Sequence, residues 1–425
     1  MLTLFRSGAI FFVMFFFIGI IELYAQQEDC VEKDLPDLLF KKKGKEITPK
    51  AVIIKHPSII LFPVLGSSPA TGFQFGAVGQ AAWFMGSPET TRISQTSANF
   101  TYTTKNQILI TLKSNVMTKG DDWILTGDWR YYLYSQSTYG LGTNSPAGVS
   151  TSDGFSIQGY DVDSQNGAEP MEFTWIRFHE TVFKEIKKNF YIGLGYHLDS
   201  YSSIVDQNLD VAAGKLTNHF NYSIINGFNP NQYNLSGISL NFVYDSRDNQ
   251  INPYKGIYVN VQNRYSPEFL GSAQASNITY TELRGYKSLS VKHPRHLLAG
   301  WVYSNYVNAG KAPYLDLPAS GYDRRNASAR GYVQGRFRGE NLYYGEVEYR
   351  FPISKCSSVL GGVLFANAIT TSDHATNVHT FDYVKAGYGF GLRIMADKLS
   401  RTNVTIDWGF GEHSNGIYFG ATEIF

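Results

Sequence analysis

The sequence predicts an all-β chain, a sixteen-stranded antiparallel transmembrane β-barrel with an inward-folded sixth extracellular loop. Three observations carry that expectation. Only 17% of residues are charged and 15% are aromatic, yet mean hydropathy is −0.21. Soluble domains usually carry more charge, and a bundle of membrane helices would be far more apolar. Strands with one lipid face and one wet face reconcile the two figures. The second observation is alternation at period two, repeated from Ser58 to the end of the sequence. The third is that short turns interleave with longer connections, the asymmetry of an outer-membrane barrel.

From the N-terminus, Arg6 precedes an apolar run from Ala9 to Ile21, and Tyr24-Ala25 precedes Gln26. This pattern predicts an exported chain with residues 1–25 as signal peptide, although Leu23 is large for its place near the cleavage site. Residues 26–57 are polar, include Lys41-Lys-Lys-Gly-Lys45 and lack sustained periodicity. They are expected to form a short periplasmic tail. Residues 58–425 are the expected barrel.

Strands are expected near 58–66, 71–84, 92–104, 107–117, 123–135, 171–185, 189–204 and 235–246. The second half continues near 255–266, 276–290, 296–308, 341–353, 357–369, 384–395, 401–410 and 416–425. Phe190, Ile192, Leu194, Tyr196 and Leu198 share one face, opposite Tyr191, Gly193, Gly195, His197 and Asp199. Ile238, Leu240 and Phe242 oppose Ser239 and Asn241 in the same way, and Val404, Ile406 and Trp408 oppose Asn403, Thr405 and Asp407. Pro63 interrupts the first strand, which suits an edge or a strand end. An even strand count puts both termini on the short-turn, periplasmic side. Long connections are expected near 136–170, 205–234, 309–340 and 370–383, and 309–340 is the sixth on its side.

That loop holds Ser328-Ala-Arg-Gly-Tyr-Val-Gln-Gly-Arg-Phe-Arg-Gly339. Arginines spaced by glycines and flanked by Tyr332 and Phe337 suit a segment that folds back into the lumen. An arginine buried there needs a carboxylate partner. The phase of 341–353 turns Glu346, Glu348 and Arg350 inward, opposite Val347, Tyr349 and Phe351. Glu348 is the expected partner of Arg330, with Phe365 and Asn367 inward on the next strand. Gly387, Gly389 and Gly391 share a face and leave room for a loop to approach.

Several of these pieces resemble the bacterial surface antigen family, the BamA/TamA superfamily of sixteen-stranded outer-membrane barrels. Ala329-Arg330-Gly331-Tyr332 resembles the tip of that family's sixth extracellular loop. Glu346-Val-Glu-Tyr-Arg-Phe-Pro352 and Val363-Leu-Phe-Ala-Asn-Ala368 resemble the strands that follow it, with Asn367 where the family usually has aspartate. Asp245-Ser-Arg-Asp-Asn-Gln-Ile-Asn-Pro-Tyr-Lys-Gly256 resembles a periplasmic hairpin of the family. The resemblance implies a role in helping polypeptide or lipid into or across the outer membrane, through a weak seam between the first and last strands. The family's assembly and secretion members carry POTRA domains before the barrel, and residues 26–57 are too few for one. A passive pore, or a scaffold subunit of a larger outer-membrane complex, is the alternative. Expected partners are outer-membrane lipid and either a periplasmic or outer-membrane protein or a second copy of the chain.

Other chemistry finds little support. A net charge of +1 gives no clustered basic face for nucleic acid. His197, Asp199 and Ser200 suggest a hydrolase, but Ser200 alternates onto the opposite face from the other two, and no nucleophile motif surrounds it. The histidines lack ligand spacing, so neither a metal nor a cofactor is expected. Asp121, Asp122, Asp245 and Asp248 are expected to be solvated turn residues. Cys30 and Cys356 both map to the oxidising periplasmic side. A disulfide between them is open, since spacing alone cannot bring two cysteines together.

Overall fold

A computed structural model describes residues 33–39, 57–68, 72–143, 145, 168–354, 359–374, 377–398, 400–420 and 422–425. The expected signal peptide, most of the tail, Cys30 and Cys356 lie outside the described residues, and with them the disulfide question.

Sixteen strands form one antiparallel sheet in strict sequence order. The first eight are β1 (Ser58–Ser68), β2 (Gly72–Trp83), β3 (Ser94–Thr103), β4 (Ile108–Met117), β5 (Trp123–Thr138), β6 (Glu169–Lys187), β7 (Phe190–Asp206) and β8 (Tyr233–Asp245). The rest are β9 (Lys255–Ser266), β10 (Ser276–Ser288), β11 (Leu297–Gly310), β12 (Asn341–Pro352), β13 (Leu360–Ser372), β14 (Lys385–Asp397), β15 (Thr402–Gly411) and β16 (Ser414–Gly420). Each expected strand has a counterpart within a few residues at most ends. The outward phase carries exposed Leu194, Tyr196, Ile238, Leu240, Val302 and Val347, as a lipid-facing band requires. The inward phase buries Arg264, Glu282, Arg284, Glu346, Glu348, Asn367 and Asp407.

Tight hairpins follow from local chemistry. The β6–β7 turn is Lys188-Asn189, and Asn189 takes the left-handed φ of 67° that asparagine tolerates. The connection 207–232 carries the helix α2 (Asn218–Ile225), whose N-cap Thr217 side chain accepts the Phe220 N–H. A short helix α1 (Leu35–Leu39) touches the β14–β15 turn, where Lys398 Nζ lies 2.6 Å from Asp37 Oδ2.

Segments from both ends fill the lumen. From one side the β11–β12 loop, 311–340, descends between two aromatic clusters. Ala312, Tyr314, Leu315 and Leu317 pack with Trp175, Tyr201 and Tyr233. Ala329, Tyr332 and Phe337 pack with Trp301, Tyr303 and Tyr344. From the other side the β8–β9 turn folds under the wall. Tyr254 joins the second cluster, and Gln250 Oε1 accepts from Asn115 Nδ2 at 2.6 Å.

Two expectations are corrected. The last strand ends at Gly420, and 422–425 turn into the lumen instead of continuing the ladder. Phe425 is buried against Trp301, with ring centroids 5.4 Å apart, and Arg350 Nη2 donates to Phe425 O at 3.0 Å. Glu423 explains the departure: its carboxylate meets Arg393 Nε at 2.7 Å, a pairing available only inside. Asp245 is no solvated turn residue. It is buried, taking Arg247 Nε and Nη2 at 2.8 and 2.9 Å and Arg92 Nη1 at 3.1 Å. The cause is the inward fold of the turn it opens, which screens this carboxylate from water.

Candidate functional site

The loop tip makes its turn with Ala329 at φ 61° and Gly331 at φ 107°. A non-glycine residue in the left-handed region is strained, and surrounding contacts must hold it. They are numerous. Asp323 accepts the N–H groups of Arg325, Ala327 and Ser328 at 2.8–3.0 Å, closing the approach to the tip. Arg338 Nη1 donates to the carbonyls of Tyr314 and Leu315 at 2.9 and 3.0 Å, tying the two legs of the loop together.

Arg330, 1% exposed, is the centre of the site. Its Nη1 meets Asp407 Oδ2 at 2.7 Å, and its Nη2 contacts both Glu346 Oε1 and Glu348 Oε1. The Phe365 ring lies beneath, 3.6 Å from the guanidinium carbon to the centroid, a cation–π contact in a dry setting. Asn367 does not take the family acid's part as an acceptor of charge; its Nδ2 donates to Arg330 O at 3.0 Å. Gly331 N–H donates to the Tyr418 hydroxyl at 2.9 Å, and the Tyr332 hydroxyl donates to Ala386 O at 2.7 Å. The tip is thus held by β12, β13, β14, β15 and β16 together.

Glycine makes the approach physically possible. A Cβ at Gly409 would lie 2.7 Å from Gly331 N and 3.0 Å from Arg330 C, and one at Gly387 would lie 2.7 Å from Arg330 O. Those neighbours are backbone atoms, which cannot rotate away.

The charges continue beyond the tip. Arg350 Nε lies 2.7 Å from Glu348 Oε2, and Arg393 Nη1 lies 2.5 Å from Asp407 Oδ1. Three guanidiniums (Arg330, Arg350, Arg393) therefore share four carboxylates (Glu346, Glu348, Asp407, Glu423) in one buried network. The Tyr344 hydroxyl donates to Glu346 Oε2 at 2.5 Å. Nearer the loop's exposed base, the Glu340 carboxylate hydrogen-bonds His374 and holds that imidazole above its ordinary pKa.

Sequence reasoning named Arg330, Gly331, Tyr332, Glu348, Phe365 and Asn367, and the structure brings all six together. It missed Asp407 as a partner and Gly409 as the floor. Asp407 carried a signal, as the one carboxylate on the inward phase of its strand, beside Asn403 and Thr405. The hydrolase trio does not assemble. His197 Nε2 meets Ser239 Oγ at 2.7 Å, while Asp199 is taken by Arg177, His179 and Arg264 at 2.7, 2.8 and 2.8 Å. Ser200 alternates onto the other face.

Among solved structures, BamA from Haemophilus ducreyi lacking POTRA domains 1-3 is similar with a TM-score of 0.51 at 15% identity, over 85% of this chain and 68% of that one. CdiB from Acinetobacter baumannii gives a TM-score of 0.49 at 11% identity, over 86% of this chain and 59% of that one. At such identity the BamA likeness speaks to fold alone. No curated protein matches the sequence. The family model described as the Omp85 superfamily domain matches residues 84–423, most of the chain. This chain belongs to the Omp85 superfamily.

Proposed function

We propose that the protein is an outer-membrane barrel of the assembly and translocation type, which helps polypeptide or lipid into or across that membrane without covalent catalysis. In this reading both termini face the periplasm, the sixth loop is a lumen plug held by Arg330, and client delivery falls to a protein partner or a second copy. Family membership supports the class and the location.

The observation that carries the mechanism is the seam. β16 lies beside β1 with no ladder between them among the described residues, whereas every other neighbouring pair is registered. β16 is 7 residues long and faces a β1 of 11 residues that contains Pro63. Proline lacks a donor, and a short partner offers few bonds, so this junction is the cheapest place for the sheet to part. A client strand would add to the exposed edge by backbone pairing. The filled lumen weighs against the passive-pore alternative, which requires a large steady conductance.

Cysteine pairs placed across β1 and β16 test the reading in proteoliposomes, with insertion of unfolded outer-membrane barrel clients as the readout. The oxidised barrel is expected to lose insertion and the reduced barrel to regain it. Equal insertion by both would refute a seam-dependent mechanism.

A further inference from the structure

The β8–β9 turn, 246–254, ties together the two flanks of the seam at the end where β1 starts and β16 finishes. It is a stiff unit. Asp248 Oδ1 accepts the N–H groups of Tyr254 and Lys255 at 2.9 and 3.1 Å, and Asn249 Oδ1 accepts those of Ile251 and Asn252, both at 2.8 Å. One edge of the turn grips the first strands. Ile251 packs with Ala82 of β2 and with Ile93 just before β3, and Gln250 Oε1 accepts from Asn115 Nδ2 of β4 at 2.6 Å. At the base of the turn, Asp245 Oδ2 lies 3.1 Å from Arg92 Nη1. The other edge reaches the β14–β15 turn. Asp248 Oδ2 lies 2.8 Å from Arg401 Nη1, and Asn249 Nδ2 donates to Ser400 O at 3.4 Å. The Arg401 guanidinium carbon also lies 4.2 Å from the Tyr254 ring centroid. Around the wall, β10 to β13 separate β9 from β14, and β4 to β7 separate β8 from β3. These contacts therefore cross the mouth of the lumen instead of following the wall.

We propose that the β8–β9 turn is a clasp that keeps β1 beside β16, and that release of its β14–β15 edge lets the seam part. The inference rests on the seam as the line where the sheet opens. Strand edges without a ladder have no backbone bonds to keep them adjacent, so they depend on contacts made elsewhere. Deeper in the lumen the sixth loop makes such contacts. Lys113 Nζ of β4 donates to Arg324 O at 2.8 Å, and Gly331 N–H donates to the Tyr418 hydroxyl of β16 at 2.9 Å. At the strand ends the clasp makes them. Its two edges are unequal. The first-strand edge is anchored by buried Ile251 and by Asp245, which is 2% exposed. The β14–β15 edge has a long hydrogen bond and an ion pair whose side chains are 29% and 17% exposed. Water and salt screen such a pair, so it holds less tightly than a buried contact. The β14–β15 edge is the one that lets go first.

The test is a distance measurement between two nitroxide labels on the full-length, folded protein in detergent, by double electron–electron resonance. Ile59→Cys and Phe419→Cys place the labels at exposed positions near the same end of β1 and β16, in a background carrying Cys30→Ser and Cys356→Ser. The parent is expected to give one short distance. Arg401→Glu sets a carboxylate against Asp248 and removes the contact with Tyr254. A second population should then appear, longer by ~5 Å or more, at least the spacing of one strand. Arg401→Lys keeps the charge and should return most of that population to the short distance. Both variants should stay heat-modifiable, because the wall ladders are untouched. A parent already spread to the longer distance, or parent-like distances in the folded Arg401→Glu barrel, would overturn the clasp. Client insertion in proteoliposomes separates this result from the seam reading. A widened Arg401→Glu barrel that inserts clients as the parent does supports the clasp and refutes the seam as the client's route.

Discussion

Replacing Arg330 with methionine should release the sixth loop from the lumen while leaving the barrel wall assembled. The guanidinium joins Asp407, Glu346 and Glu348 at a position 1% exposed. Methionine keeps much of the volume and removes the charge. Glu348 and Asp407 would retain Arg350 and Arg393, but Glu346 would keep only the Tyr344 hydroxyl. Breaking a buried ion pair from one side typically costs about 3–5 kcal/mol, because it strands a desolvated charge. The wall ladders do not depend on Arg330, so the cheapest relief is for the tip to leave and admit water. The strain at Ala329 and the αL turn at Gly331 would relax with it. The readouts are a lower midpoint of heat-modifiability on gels and new protease cleavage in the loop. Arg330→Lys should be intermediate, since an ammonium keeps charge but cannot reach acceptors in three directions as a planar fork does. A parent-like midpoint in Arg330→Met would show that the network does not hold the loop.

Gly409→Val should produce the same release by a steric route that leaves every charge in place. Its Cβ would sit 2.7 Å from Gly331 N, below any tolerated contact, and the neighbour is backbone. Valine is otherwise favourable in a strand, so β15 itself should tolerate it. Gly285 and Gly300 supply the control, because a Cβ at either meets nothing within 4 Å. Gly300→Val should therefore behave as the parent. If Gly409→Val and Gly300→Val gave the same protease pattern, close contact between the tip and β15 would be ruled out as the anchor.

Much of this architecture was legible because barrel physics writes itself at short range. Alternation between lipid and lumen has a period of two residues, so the inward phase of Glu346, Glu348, Phe365 and Asn367 follows from neighbours a few positions away. The sixth loop was equally readable, since its place depends only on counting turns. What lay beyond reach depends on distance across the lumen. Asp407 and Glu348 both point inward, but β15 and β12 are separated by two strands, and only the path of the loop decides which acids the guanidinium meets. The inward turn of 422–425 has the same character. Glu423 pairs with Arg393, thirty positions earlier, and nothing beside either residue announces that pairing. Asp245 was misread because a turn is solvated by default, and nothing local in Asp245-Ser-Arg-Asp248 announces that the turn folds under the barrel.

Limited trypsin digestion of the folded protein tests whether the arginine-rich loop is held inside the barrel. Residues 311–340 contain Lys311, Arg324, Arg325, Arg330, Arg336 and Arg338, so an external loop of this composition would be cut at several points. With the tip buried, mass spectrometry of the fragments should find no cleavage after Arg324, Arg325, Arg330, Arg336 or Arg338 in the parent, and ready cleavage at these sites in Arg330→Met. Cleavage at Arg324 or Arg325 in the folded, still heat-modifiable parent would contradict it.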